Sequence, residues 1–160
     1  MDQQELFIKM ALQAWEINLK RTNAIFDSLS DEELYQQIAP GKNRVIYLMG
    51  HLTAVNDGML PLLGFGDKQF PQLEEPFLVK PDRTVAEIPS PKELREFWTR
   101  SNDALSSHFS RLSAGEWFQR HTSMTDADFA KEPHRNKLAV LINRTNHLSF
   151  HQGQLVFVKK

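Results

Sequence analysis

Three histidines of this chain point most directly to chemistry, because of their residue type and spacing. They are His51 and the pair His147 and His151. Four residues turn an α-helix through about 400°, so the two later imidazoles leave the same face about one turn apart. Two such rings can bind one metal ion at Zn–N distances of roughly 2.0–2.1 Å, and a third histidine from another helix completes a three-histidine site. Three protein ligands leave one coordination position open, as in catalytic metal sites. The spacing therefore favours a metalloenzyme over a scaffold protein.

The helical register places these side chains at the edge of the apolar faces. With Leu148 taken as the buried direction, His151 and His147 lie roughly 60° and 100° away from it. His51 borders the apolar stripe of its own segment in the same way. Ligands at such an edge are buried enough to hold a metal ion and open enough to admit a small substrate. A pair at this spacing also arises by chance, so histidines that bind nothing remain an alternative.

Composition restricts the classes of function. With 160 residues, 41% of them hydrophobic and 24% charged, we predict one globular domain covering 1–160. The net charge of −1, from 19 basic and 20 acidic residues without a basic block, argues against a nucleic-acid partner. No apolar run approaches the ~18 residues of a membrane span, and the start MDQQELF does not resemble a signal peptide. We expect a cytoplasmic protein that acts on a small-molecule substrate.

The sequence contains no cysteine. This excludes disulfides, thiolate metal ligands and a cysteine nucleophile from the chain itself. If the protein performs thiol chemistry, the thiol must arrive as a cofactor or substrate.

The elements that must position the histidines are helices. The spacing of apolar residues predicts four amphipathic helices and no sheet of consequence, over 2–29, 43–63, 90–112 and 136–160. Ser90, followed by Pro91 and Glu93, is a capping box that fixes the start of the third helix. Four helices of this length favour an all-α four-helix bundle.

Two long connections join these helices. The first, 65–90, contains four prolines and is long enough to run back along the bundle. The second and third helices therefore need not be antiparallel neighbours. The second connection, 113–136, is polar, with Trp117, Phe118 and Phe129 as its apolar anchors.

Two segments carry a resemblance to a known family: NRVIYLMGHL at 43–52 and NHLSFHQGQL at 146–155. Together with the helix order and the long connection 65–90, they resemble the DinB/YfiT-like superfamily. The resemblance implies an up-down-down-up four-helix bundle with a long crossover between the second and third helices, and a homodimer. It also implies one divalent metal ion, most often zinc or nickel in such proteins, bound by His51, His147 and His151.

The same resemblance implies a class of function. Its characterised members include thiol-dependent S-transferases and isomerases that use bacillithiol, mycothiol or glutathione. We therefore expect a metal-dependent enzyme that transfers a low-molecular-weight thiol to an electrophile, or one that hydrolyses a small substrate. The alternative is a non-catalytic, dimeric metal-binding protein of the stress response.

The residues narrow the mechanism. The glutamate of the HExxH metalloproteases is absent between His147 and His151, so the metal would have to generate the nucleophile. Gln154 is a candidate for binding a ligand or orienting substrate, although a partly buried polar residue that ties helices together would look the same. Asn143 precedes His147 by four residues and could support it by a hydrogen bond, but we expect its amide to face solvent. Gly50 costs about 1 kcal/mol in a helix relative to alanine, which indicates either a close approach beside His51 or a tolerated surface glycine.

Other residues give expectations about the surface. His108, His121 and His134 have no partner at helical spacing, and we expect them at the surface. The tryptophans Trp15, Trp98 and Trp117 are expected to leave apolar surface exposed, which a symmetric homodimer would cover.

Overall fold

The computed structural model describes residues 2–158 and is all-helical over that range. Its α-helices are α1 Gln3–Asp27, α2 Val45–Asp57, α3 Met59–Leu63, α4 Pro91–Phe109, α5 Ala114–Trp117, α6 Asp126–Lys131 and α7 Lys137–Leu155. Within 2–158 no strand forms, and none of the helices combines the length and apolarity that crossing a membrane requires.

The predicted helix over 43–63 is divided in two. Its first part, α2, ends at Asp57, and α3 begins at Met59. Pro61 explains the division because proline has no N–H to donate to the carbonyl four residues earlier, that of Asp57. Gly64 ends α3 in the left-handed conformation, with φ of 77°.

The predicted start of the third long helix, α4, is confirmed. The Ser90 hydroxyl accepts from the Glu93 N–H at 3.3 Å, and the Glu93 carboxylate accepts from the Ser90 N–H at 2.9 Å. Pro91 occupies the first helical position, where its missing N–H has no partner to lose. The helix ends at Phe109, three residues before the predicted end.

The connection between α3 and α4, which we call the crossover (65–90), runs back along α2. Near the end of α2, the buried Asp57 carboxylate accepts the backbone N–H groups of Gln69 and Phe70, both at 2.9 Å. Near its start, the Tyr47 hydroxyl donates to the Lys80 carbonyl at 2.9 Å. Polar bonds therefore attach the crossover to both ends of α2.

Asp82 adds a charged anchor at the beginning of α2. Its carboxylate accepts the Arg44 backbone N–H at 2.8 Å and pairs with the Arg44 guanidinium at 2.7 Å. Burial acts to raise the pKa of Asp82, but the hydrogen bonds and charge of Arg44 outweigh it and hold that pKa below its usual value. The carboxylate is therefore ionised at neutral pH and keeps this end of the crossover in place.

The expectation of exposed tryptophans is wrong. Trp15, Trp98 and Trp117 are only 1%, 5% and 1% exposed. The reason is aromatic packing between elements: Trp15 meets Phe109 edge to face at 6.2 Å, and Trp98 meets Phe26 in the same way at 5.4 Å. These rings fill the space between α1 and α4, so they provide no surface for a partner.

Candidate metal centre

The structure brings the three predicted histidines together. The Nε2 atom of His147 lies 3.2 Å from Nε2 of His51 and 3.1 Å from Nε2 of His151. One ligand atom from each residue lies within 4.8 Å of the others, and all three side chains are half-buried. Two nitrogens bound to one tetrahedral zinc ion are about 3.3 Å apart. The three histidines could therefore hold one metal ion.

Hydrogen bonds on the far side of two rings fix their protons. Nδ1 of His51 lies 2.9 Å from the Phe77 carbonyl oxygen, and Nδ1 of His151 lies 2.8 Å from Oε1 of Gln154. An oxygen of this kind only accepts, so both Nδ1 atoms carry the proton. In the neutral rings, both Nε2 atoms then present lone pairs to the cluster. Metal-binding histidines are oriented in this way.

Three converging acceptor atoms fit a cation. Nε2 of His147 lies between the other two Nε2 atoms and could donate one proton to only one of them. The other Nε2–Nε2 contact would then bring two lone pairs to about hydrogen-bonding distance, and lone pairs repel each other at that distance. A cation held by all three nitrogens removes the repulsion, and a set of neutral imidazoles suits zinc, nickel, copper or iron.

Burial keeps two of the rings neutral. Burial, reinforced by His151, His51 and Arg144, lowers the pKa of His147 to about 4. Burial also lowers the pKa of His151, against the opposing effect of its bond to Gln154. Neutral imidazole is the form that binds metal, so both rings are in the binding form at physiological pH.

Gly50 allows the contact that orients His51. A Cβ atom at this position would overlap the ring of Phe77, which is fully buried against α2. The missing side chain lets the ring lie on the helix, and the Phe77 carbonyl then reaches the neighbouring imidazole. Of the two interpretations of Gly50, close approach is therefore the correct one, and the approaching element is the crossover.

Aromatic rings surround the histidine cluster. Tyr47 stacks on His51 with ring centres 6.4 Å apart, and the exposed ring of Phe150 meets His151 edge to face at 5.1 Å. Among residues 2–158, no aspartate or glutamate belongs to the cluster. Within the described residues, the cluster therefore combines three imidazoles with aromatic neighbours and includes no carboxylate.

The other candidate residues have different surroundings. Asn143 and His134 are exposed, as predicted. His108 and His121 are half-buried, which corrects the expectation for them; His108 stacks on Phe65 at 4.5 Å. Neither belongs to the cluster of His51, His147 and His151.

Gln154 contacts a predicted ligand from within the same helix. Its side-chain oxygen is the acceptor for His151, three residues earlier in α7. This bond fixes the orientation of the His151 ring. The Phe77 carbonyl does the same for His51. The sequence did not predict this contact, and its only signal was Gly50, the glycine next to His51.

Comparison with known proteins gives a family and a fold. Residues 14–155 match the DinB superfamily. Among solved structures, the chain is similar to a conserved protein from Enterococcus faecalis, with a TM-score of 0.63 and 17% identity over 99% of this chain and 95% of that one. At this identity the likeness concerns the fold alone. No curated protein matches the chain.

Proposed function

Because this chain belongs to the DinB superfamily, we propose that it is a divalent-metal-dependent enzyme acting on a small molecule, with His51, His147 and His151 as the metal ligands. One observation carries the proposal: the three Nε2 atoms face each other while the Nδ1 protons of His51 and His151 are held outside the cluster. We propose zinc or nickel as the ion, since imidazole ligands suit both.

The residues of the site limit the mechanism. A divalent ion at this site would lower the pKa of a bound water or thiol and so supply a nucleophile near neutral pH. The Phe77 carbonyl and Gln154 hold the rings of two of the proposed ligands, His51 and His151, in one orientation. Three protein ligands would leave one coordination position for a reactant. The chain has no cysteine, so a thiol must be supplied as a low-molecular-weight cofactor. We propose S-transfer to an electrophile as the reaction, with hydrolysis of a small substrate as its alternative.

We also propose an up-down-down-up four-helix bundle as the arrangement of α1, α2, α4 and α7. Two contacts support parallel neighbours in the middle of this order. Asn56 bonds to Asn102 at 2.9 Å, and further along both segments Phe65 stacks on His108. In both contacts the residue numbers increase in the same direction along the two segments. This is expected when the crossover returns to the start of α2 before α4 begins, so that α2 and α4 run parallel.

A catalytic test compares metal-loaded wild type with His151→Ala. Loss of chlorodinitrobenzene would be followed with glutathione, bacillithiol or mycothiol, and ester and amide hydrolysis would be followed without thiol. We expect a rate that needs both a thiol and His151, and an unchanged rate in the control Asn143→Ala, an exposed position on the same helix. Turnover without thiol would support the hydrolase. Stoichiometric metal without any turnover would contradict the enzyme and support the non-catalytic metal-binding protein.

We propose a homodimer formed through α1. The exposed side chains of Leu6, Phe7, Met10 and Ile17 lie along one face of this helix. Such a stripe is self-complementary across a twofold axis, where two α1 helices run antiparallel.

Charges beside this stripe support a second copy as its occupant. Along one edge, Glu5 and Lys9 are followed by Glu16 and Lys20, all exposed. In an antiparallel pair, Glu5 lies opposite Lys20 of the second copy, and Lys9 lies opposite its Glu16.

Sedimentation tests the dimer. We expect wild type to sediment as a dimer and Met10→Glu to dissociate it. Ser107→Glu, at an exposed position on α4, should leave the dimer intact. A monomeric wild type at micromolar concentration would contradict the dimer.

A further inference from the structure

Arg144 shares the face of α7 that carries the two histidine ligands. It precedes His147 by three residues and His151 by seven, so the three side chains leave the helix within an arc of about 60°. Arg144 is half-buried. After burial and the other two imidazoles, its charge is a further cause of the low pKa of His147.

One hydrogen-bond donor of Arg144 is unsatisfied in the part of the chain that the structure describes. Its Nε atom is buried and has no acceptor. The ion pairs within residues 2–158 involve other basic residues, and none includes Arg144. A buried donor without an acceptor costs about 1–3 kcal/mol, and more when it is charged. An acceptor from outside the chain would remove this cost.

We infer that Arg144 binds the carboxylate of a small organic acid while the reactive group of that acid faces the three Nε2 atoms. The planar guanidinium presents parallel N–H donors that match the two oxygens of a carboxylate. A single guanidinium balances the single charge of that group. The inference rests on the proposed metal site and adds the chemical class of its ligand: either the electrophile or the thiol is an acid.

A matched pair of thiols tests this arrangement. 3-Mercaptopropionate and its neutral amide, 3-mercaptopropanamide, would be titrated into cobalt-loaded protein and followed by the thiolate–cobalt absorption. Wild type should bind the acid at least about tenfold more tightly than the amide, because a charge-assisted hydrogen bond contributes about 1.5–3 kcal/mol. Arg144→Gln should abolish this preference with unchanged cobalt content, and Arg144→Lys should retain part of it. The exposed Arg21→Gln should behave as wild type.

A second readout does not need the metal. In the ¹H–¹⁵N spectrum of the metal-free protein, acetate should shift the Nε–H resonance of Arg144 and leave that of Arg21 in place. If the wild type bound no metal, the metal site would fail while this titration still decided the role of Arg144. An unmoved Arg144 resonance, or an acid preference that survives in Arg144→Gln, would overturn the inference. Stronger competition by inorganic phosphate than by acetate would overturn the assignment to a carboxylate.

Discussion

The Nδ1–H of His51, on α2, donates to the carbonyl oxygen of Phe77, in the crossover, at 2.9 Å. The orientation of this ring is therefore set by a segment 26 residues away in sequence. Its partners His147 and His151 lie on α7. Packing of the crossover against α2 and the geometry of the histidine cluster are consequently coupled.

Gly50→Ala tests this coupling. Alanine favours a helix by about 1 kcal/mol over glycine, but here its Cβ would overlap the Phe77 ring. Moving that ring should cost about 1–3 kcal/mol and displace the acceptor of His51. We expect a lower free energy of unfolding and about 10–100-fold weaker metal binding.

Gly153→Ala is the control for this substitution. It lies in α7, and a Cβ there would meet no atom within 4 Å. It should raise the unfolding free energy by up to about 1 kcal/mol and leave metal binding unchanged. Equal metal affinity in both alanine variants would show that Phe77 does not orient His51.

Gln154 provides a second test of ligand orientation. Gln154→Leu removes the acceptor for Nδ1 of His151, so we expect about 10–100-fold weaker metal binding by competition with a chromogenic chelator. Gln154→Glu keeps an acceptor and should retain the affinity. Gln152→Leu, two residues earlier on α7, should bind as wild type; an equal loss there would mean that the effect is not specific to His151.

Helix positions and histidine faces could be predicted from sequence because both depend on local spacing. The three- and four-residue steps of apolar side chains indicate α1, α4 and α7, and a spacing of four puts His147 beside His151. Other features depend on contacts distant in sequence. The tryptophans are buried because aromatic partners from another helix meet them, which one segment alone does not reveal.

The supporting groups of the site were missed for the same reason. The Phe77 carbonyl reaches His51 only because the crossover turns back along α2, and a backbone carbonyl has no sequence signature. The unsatisfied state of Arg144 depends on which acceptors the fold places near it. The division at Gly58 was predictable, since Pro61 removes a helical hydrogen bond locally.

Asp57→Ala should loosen the crossover. The substitution leaves the backbone N–H groups of Gln69 and Phe70 without their acceptor in a buried place. We expect a loss of about 2–4 kcal/mol in the free energy of unfolding, measured by urea denaturation. Asp103→Ala, at an exposed position on α4, should change it by less than about 0.5 kcal/mol. Similar losses in both variants would contradict the anchoring role of Asp57.

Metal binding should resist mild acid. The pKa of His147, lowered to about 4, keeps this ring unprotonated in the range where an ordinary histidine of pKa about 6.5 takes up a proton. The pKa of His151 is lowered as well. Protons therefore begin to compete with the metal for His147 only well below pH 6.5, and they compete less for His151 than for an ordinary histidine.

Zinc affinity measured at pH 7 and pH 6 tests this expectation. Three ordinary histidines would lose about 30-fold in affinity over this interval. We expect a loss of less than about tenfold, because His147 remains unprotonated over this interval and the pKa of His151 is lowered as well. A loss of about 30-fold would contradict the lowered pKa values.

Metal content of the untagged protein tests the central claim most directly. The protein would be purified without a histidine tag, because such a tag binds metal itself. Bound metals would be measured by mass spectrometry, and circular dichroism would be the control for folding. We predict about one divalent ion per chain in wild type and loss of most of it in His147→Ala with unchanged helicity. Stoichiometric metal in a variant that lacks His51, His147 and His151 would contradict the three-histidine site, as would a wild type that binds neither zinc nor nickel when supplied with them.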